Sequence, residues 1–170
     1  MPSNIEIKAR ARDFAEISRR AELLSDTPVE VIRQEDIFFK TERGRLKLRL
    51  LAPNRGQLIY YTRPDREGPK RSDYHIYETP DPENLKRVLD LAYGFRGRVR
   101  KTRYLYLVGQ TRVHLDDVEG LGQFLELEVV MAPGQSDAEG EAIAEELMRR
   151  LGVERGERLE GAYIDLLESR

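Results

Sequence analysis

Apolar and polar side chains alternate from Asn4 to Arg12, with Ile5, Ile7, Ala9 and Ala11 set against Asn4, Glu6, Lys8, Arg10 and Arg12. A two-residue period puts each set on one face of a β-strand. The period returns over Arg45 to Leu51, where Leu46, Leu48 and Leu50 oppose Arg45, Lys47 and Arg49 after a turn at Glu42-Arg43-Gly44. Further strands are predicted within Val31 to Lys40 and over Gln57 to Arg63, Asp73 to Thr79, Arg98 to Val108, Thr111 to Asp116 and Phe124 to Met131. Most are broken by Gly, Pro, Asn or Asp turn signals. Helical spacing appears over Asp13 to Leu24, with Phe14, Ile17, Ala21 and Leu24 on one stripe, and over Asn84 to Tyr93, which follows Asp81-Pro82 and stops at Gly94. Ser136 to Leu151 opens with Ser136 and Glu139 in capping-box spacing and ends at Gly152, a complete set of helix-end signals. A short helix is expected over Ala162 to Leu167. Strands between helices, joined mostly by short turns, imply an α+β domain dominated by an antiparallel sheet. The connections 64–72 and 131–135 are too short for interdomain linkers, so residues 1–170 read as one domain.

Composition narrows the function. The 170 residues carry 29 Lys and Arg against 31 Asp and Glu, a formal charge of −2, so no overall field recommends a nucleic acid or a membrane surface as partner. Charged residues make up 35%, above the usual quarter or so, and that excess needs a structural home. With no cysteine, a disulfide framework, thiolate metal sites and a thiol nucleophile are all excluded. The amino terminus lacks an apolar leader, and no run of some 18 apolar residues is present; a soluble cytoplasmic protein is expected.

The polar faces of the strands carry the chemistry. Glu6, Lys8 and Arg10; Lys47 and Arg49; Arg63; Lys101 and Arg103; Arg112, His114 and Asp116; Glu126 and Glu128 each fall at strand parity within their own segment. One such face is ordinarily a solvated one. Repetition with mixed sign points elsewhere: if the faces converge inside a closed barrel, helices must cover the apolar faces from outside, and the lumen becomes a charged channel. Eight cations with several carboxylates suit a polyphosphate and a divalent metal, since Arg and Lys pair with phosphate oxygens while Asp and Glu are hard ligands for Mg²⁺ or Mn²⁺.

Glu6-Ile7-Lys8-Ala9-Arg10, Asp36-Ile37-Phe38-Phe39, Leu46-Lys47-Leu48-Arg49, Arg63-Pro64, Lys101-Thr102-Arg103, the run from His114 to Glu128 (HLDDVEGLGQFLELE) and Ala162-Tyr163-Ile164-Asp165-Leu166-Leu167 together resemble the CYTH superfamily, the triphosphate tunnel metalloenzymes. Within it, the length and the tyrosine-bearing carboxyl end look most like class IV adenylate cyclases. The resemblance implies an eight-stranded antiparallel β-barrel, open at both ends, with helices packed outside and ATP or another triphosphate within. It implies Mg²⁺ or Mn²⁺ at Glu6, Asp116, Glu126 and Glu128, with Glu78 a weaker ligand. It implies phosphate contacts from Lys8, Arg10, Lys47, Arg49, Arg63, Lys101, Arg103 and Arg112, with Glu6, Lys8, Lys101 and Arg103 closest to catalysis. The activity implied is cyclisation of ATP to cyclic AMP and pyrophosphate. An inorganic, nucleoside or thiamine triphosphatase and a non-catalytic nucleotide- or polyphosphate-binding protein are the alternatives.

One departure stands out: the family's opening E-x-E-x-K begins here with Asn4, which offers a neutral oxygen where a carboxylate is expected and implies weaker metal binding. Arg63 replaces a more usual Lys. Tyr60, Tyr61, Tyr74 and Tyr77 read as core or rim, His75 as exposed, and Gly120-Leu121-Gly122 as a turn rather than a phosphate loop. His114 reads first as a hydrogen-bonded structural group and second as a metal or proton-transfer residue. Basic and aromatic mixing over Arg98 to Tyr106 is offset by nearby acids, which argues against RNA. If the chain self-associates, a homodimer is the assembly symmetry favours.

Overall fold

A computed structural model describes residues 2–170. The alternating segments form β1 (Ser3–Arg10), β2 (Glu30–Phe39), β3 (Arg45–Ala52), β4 (Arg55–Thr62), β5 (Lys70–Thr79), β6 (Phe95–Val108), β7 (Thr111–Val118) and β8 (Gly122–Val130). Neighbours pair antiparallel in the order β5-β4-β3-β2-β6-β7-β8-β1, and β1 pairs back onto β5 to close an eight-stranded barrel. A two-residue strand, β9 (Arg158–Leu159), pairs with Lys8 and Ala9 of β1, on the stretch that β5, paired only at Ser3 to Glu6, leaves open. The four predicted helices are α1 (Phe14–Leu24), α2 (Pro82–Tyr93), α3 (Asp137–Leu151) and α4 (Tyr163–Glu168).

Their ends follow from local chemistry. The Asp13 side chain accepts from the Glu16 amide at the start of α1, and Ser136 and Glu139 form the reciprocal capping box of α3, each satisfying amides the helix leaves orphaned. Gly152 ends α3 in the left-handed region at φ 77°, where a side chain would be strained.

Most of the apolar core lies outside the barrel. The outward faces of β1, β7 and β8, among them Ile5, Ile7, Val113, Leu115, Leu125 and Leu127, pack against Ile17 and Ala21 of α1 and Ala144, Leu147, Met148 and Leu151 of α3. Gly140 lets α3 approach β1: a Cβ there would stand 2.6 Å from Ile5 Cγ1. On the far side Leu89 and Leu85 of α2 cover Ile37, Phe39 and Leu48. The strands β1, β7 and β8 above all spend their apolar faces on the helices and turn charged side chains inward.

One expectation is corrected. The barrel is not open at both ends, because Ala162, Tyr163 and Ile164 pack among Phe38, Ile59, Tyr61, Val99, Val118 and Phe124 inside one mouth. Gly97 makes room for this plug, since a Cβ there would run into Ile164 Cδ1. Among the described residues no helix is long and apolar enough to cross a membrane.

Candidate functional site

The inward faces enclose a cavity of about 300 Å³. Strand parity decides who lines it: Asn4, Glu6 and Lys8 from β1; Gln34, Asp36 and Phe38 from β2; Lys47 and Arg49 from β3; Lys101 and Arg103 from β6; Arg112 and His114 from β7; Glu126 and Glu128 from β8. Arg63 reaches in from just beyond β4. The lining carries seven cations (Lys8, Lys47, Arg49, Arg63, Lys101, Arg103, Arg112) and four carboxylates (Glu6, Asp36, Glu126, Glu128), a surplus of three positive charges. The opposite end from α4 is apolar, with Ile32, Ile76 and Leu105.

Each carboxylate is a fixed point from which cations hang. Asp36, 2% exposed, accepts from Lys47 Nζ at 2.9 Å and from Arg49 at 2.8 and 3.1 Å. Burial alone would raise its carboxyl, yet the Arg49 and Lys47 charges hold it well below the usual range. Arg103 forks onto Asp116 with two bonds of 2.7 Å, while the Tyr163 hydroxyl donates to the same carboxylate at 2.9 Å. Arg63 donates to Glu6 at 2.6 Å and to the Gly161 carbonyl at 3.0 Å. Arg112 donates to Glu128 at 2.8 Å. Bidentate and charge-assisted pairs of this kind set the guanidinium planes as well as the charges.

Two lysines lack such support. Burial, with Arg103 adding to it, pushes Lys101 down to about 7 against the pull of Asp116 at 3.5 Å. Burial likewise lowers Lys8 to about 8; its Nζ sits 3.9 Å from the centroid of the Tyr163 ring. Among the carboxylates, burial, offset by Arg63 and reinforced by Glu128 and Glu126, pushes Glu6 above its ordinary value. Glu6 and Glu128 stand directly opposite in register, so negative charge is crowded there. His114, Glu126 and Glu128 offer ligand atoms that all lie within 4.8 Å of one another. Burial and the Arg103 charge lower His114 to about 3, leaving the imidazole neutral.

Three expected site residues sit elsewhere. Arg10 is exposed, its guanidinium 5.4 Å from the Phe124 ring centroid; its register partner Phe124 fills that level of the lumen and leaves Arg10 at the rim. Glu78 has lumen parity, but it lies beyond the end of the cavity, exposed, where it accepts from Gln57 Nε2 at 2.6 Å. Asp116 is fully buried behind Arg103 and Tyr163 and does not line the cavity. Glu6, Lys8, Lys47, Arg49, Arg63, Lys101, Arg103, Arg112, Glu126 and Glu128 do line it. Tyr60 and Tyr77 are exposed, whereas Tyr61 and Tyr74 line the cavity. His75 is exposed, and Gly120 and Gly122 form the β7–β8 turn at φ 78° and 105°. Sequence reasoning gave no role to Asp36, Gln34 or Tyr163; parity along Gln34-Asp36-Phe38 was the available signal for the first two. Asn4, 2% exposed, satisfies both ends of its amide when it donates to the Ser3 carbonyl at 3.1 Å and accepts from Arg112 at 3.2 Å.

Residues 3–163 match the family model described as the CYTH domain. No curated protein sequence matches. The PH1012 protein from Pyrococcus horikoshii OT3 superimposes with a TM-score of 0.84 at 27% identity, over 96% of this chain and 98% of that one. A Vibrio parahaemolyticus protein of proposed adenylate cyclase activity gives 0.79 at 18% identity, covering 97% of each chain. HpAC1 from Hippeastrum, a proposed adenylyl cyclase described as having a dominant triphosphatase activity, gives 0.69 at 16% identity, over 99% of this chain and 96% of that one. The last two likenesses speak to fold alone.

Proposed function

The chain belongs to the CYTH domain family, and on that premise we propose that it is a divalent-metal-dependent enzyme that binds ATP in the barrel and converts it to cyclic AMP and pyrophosphate. The observation that carries the reading is the surplus of cations, preset on buried carboxylates, around a cavity closed at one end. An anionic chain is what relieves that surplus, and charges fixed in advance cost no reorganisation when they meet it.

The residues act as a mould. Asp36 aims Lys47 and Arg49, Asp116 aims Arg103, and Glu6 with the Gly161 carbonyl aims Arg63. These cations grip the triphosphate oxygens; the ribose 3′-hydroxyl gives up its proton to solvent as its oxygen bonds to the α-phosphorus, the α–β bridging bond breaks and pyrophosphate leaves. Lys8 and Lys101 gain charge on meeting the anion and stabilise the leaving group. A divalent ion, Mg²⁺ or Mn²⁺, fits the carboxylates on β8: Glu126 and Glu128 would hold it, and it would supply charge neutralisation on the phosphate oxygens. The apolar end at Ile32, Ile76 and Leu105 suits a nucleoside and favours ATP over an inorganic chain. Triphosphatase activity, in which water attacks the terminal phosphorus, is the second reading, prompted by the activity described for HpAC1.

Phosphorus NMR of the protein with ATP, and separately with tripolyphosphate, in Mg²⁺ and then Mn²⁺, tests this. Cyclic AMP with pyrophosphate is expected. Orthophosphate with ADP or pyrophosphate replaces the cyclase by a triphosphatase. Metal-dependent broadening without turnover makes the tunnel a receptor, and neither turnover nor broadening overturns the triphosphate reading.

A further inference from the structure

We propose that His114, Glu126 and Glu128 form a mixed nitrogen and oxygen site that selects a divalent transition ion, Mn²⁺ in the first instance, over Mg²⁺. The inference rests on the reading above only in sharing its ion; it concerns which ion and which atoms.

Three observations converge. First, His114 is 3% exposed, and its Nδ1 is buried with no hydrogen-bond partner. Folded proteins leave few such atoms unmet, because an unsatisfied buried group costs about 1–3 kcal/mol. Secondly, the nitrogen faces Glu128 Oε1 at 3.9 Å. That is too long for a hydrogen bond, but two atoms each about 2.0–2.2 Å from one ion lie at most ~4.4 Å apart. Glu128 is also held in place from behind, since Arg112 Nε donates to its other oxygen at 2.8 Å, the kind of outer contact that orients a ligand. Thirdly, the carboxylates that would make an all-oxygen cage are spent. Glu6 is bonded to Arg63 at 2.6 Å, Asp116 to Arg103 at 2.7 Å, and the opening carboxylate position is Asn4. Glu126 is less tightly held, with Arg103 at 3.3 Å and Arg63 at 3.6 Å.

An imidazole with two carboxylates is a borderline donor set. Mg²⁺ takes oxygen ligands and keeps its waters, whereas a divalent first-row transition ion takes imidazole nitrogen beside carboxylate, Mn²⁺ least strongly of them and the later ions more so. His114 thus supplies the bond that separates the two ions.

The test uses the intact protein with Mn²⁺ alone, no nucleotide. Pulsed electron paramagnetic resonance should show nitrogen coupling to bound Mn²⁺, and Mg²⁺ should displace Mn²⁺ only when in excess over it. The sequence holds two histidines, so His75→Gln should leave the coupling intact, and His114→Gln should remove it and shrink the Mn²⁺ preference by about tenfold. Bound Mn²⁺ without nitrogen coupling, coupling lost in His75→Gln, or no Mn²⁺ binding at all overturns the proposal; the wild-type spectrum decides even if His114→Gln fails to fold. Turnover with Mg²⁺ and no nitrogen coupling would sink this inference and leave the function standing. Nitrogen-bound Mn²⁺ in a protein that neither binds nor turns over ATP or tripolyphosphate would do the reverse.

Discussion

Raising the pH should release the triphosphate, because two of its cations are only half committed to their charge. Lys101 sits at about 7 and Lys8 at about 8, so at pH 8 the empty tunnel holds roughly half of one proton on Lys8 and a tenth of one on Lys101. A polyanion draws both to the charged state, and binding at pH 8 should take up roughly one to one and a half protons. If both lysines are fully charged in the complex, affinity falls by two to three orders of magnitude, roughly 4 kcal/mol, between pH 7 and 9. ATP is the suitable probe, since its single terminal phosphate titrates near pH 6 and adds little above 7.5, whereas tripolyphosphate has two that ionise in sequence. Calorimetric titration without added metal, repeated in buffers of different ionisation enthalpy, counts the protons directly. Lys101→Met should remove about one of them and flatten the pH profile. No net uptake at pH 8, or a constant affinity from pH 7 to 9, would refute the reasoning.

The empty protein should respond to pH with the opposite sign. The folded values of Lys101 and Lys8 lie below the unfolded value of about 10.4, so between about pH 7 and 10 the unfolded chain binds more protons and stability rises with pH; a melting temperature that falls from pH 7 to 9 contradicts this. Tyr163→Phe deletes a buried bond to a charged acceptor and should cost about 1.5–3 kcal/mol in urea unfolding; no change would mean that the hydroxyl does not hold the plug. Asn4→Glu restores a carboxylate beside Arg112 and should raise divalent affinity in an isothermal titration, and an unchanged titration places residue 4 outside the ion's surroundings.

The alternation in Asn4 to Arg12 and Arg45 to Leu51 carried the strands, the closure and most of the lining, because a two-residue period assigns every side chain to a face once one is known. It could not locate the ends of the cavity. Glu78 has the right parity and Arg10 the right charge, but depth along a strand is set by what fills the mouth, here Phe124 and Tyr163. The plug was hidden for the same reason: the six-residue helix is legible as a helix, but its place depends on Gly97, more than sixty residues upstream, making space. Asp36 was masked by Ile37, Phe38 and Phe39, whose apolar run reads as core before it reads as alternation. Asp116 was legible as inward but not as spent, since its Arg103 partner lies on another strand.

An inside-out barrel separates two kinds of selection. Residues that pack and residues that meet the ligand occupy alternate positions of the same strands: Ile7 belongs to the helix-covered core and Lys8, one step on, to the lumen. A change at an outward position is judged by volume, and a change at an inward one by charge. The two ledgers barely overlap, so lumen chemistry can be rewritten from one substrate to another while the wall stays intact. On that account a chain 16% identical to HpAC1 and 27% identical to PH1012 can keep the same architecture. The fold is an insulated socket, with identity carried by the wiring inside.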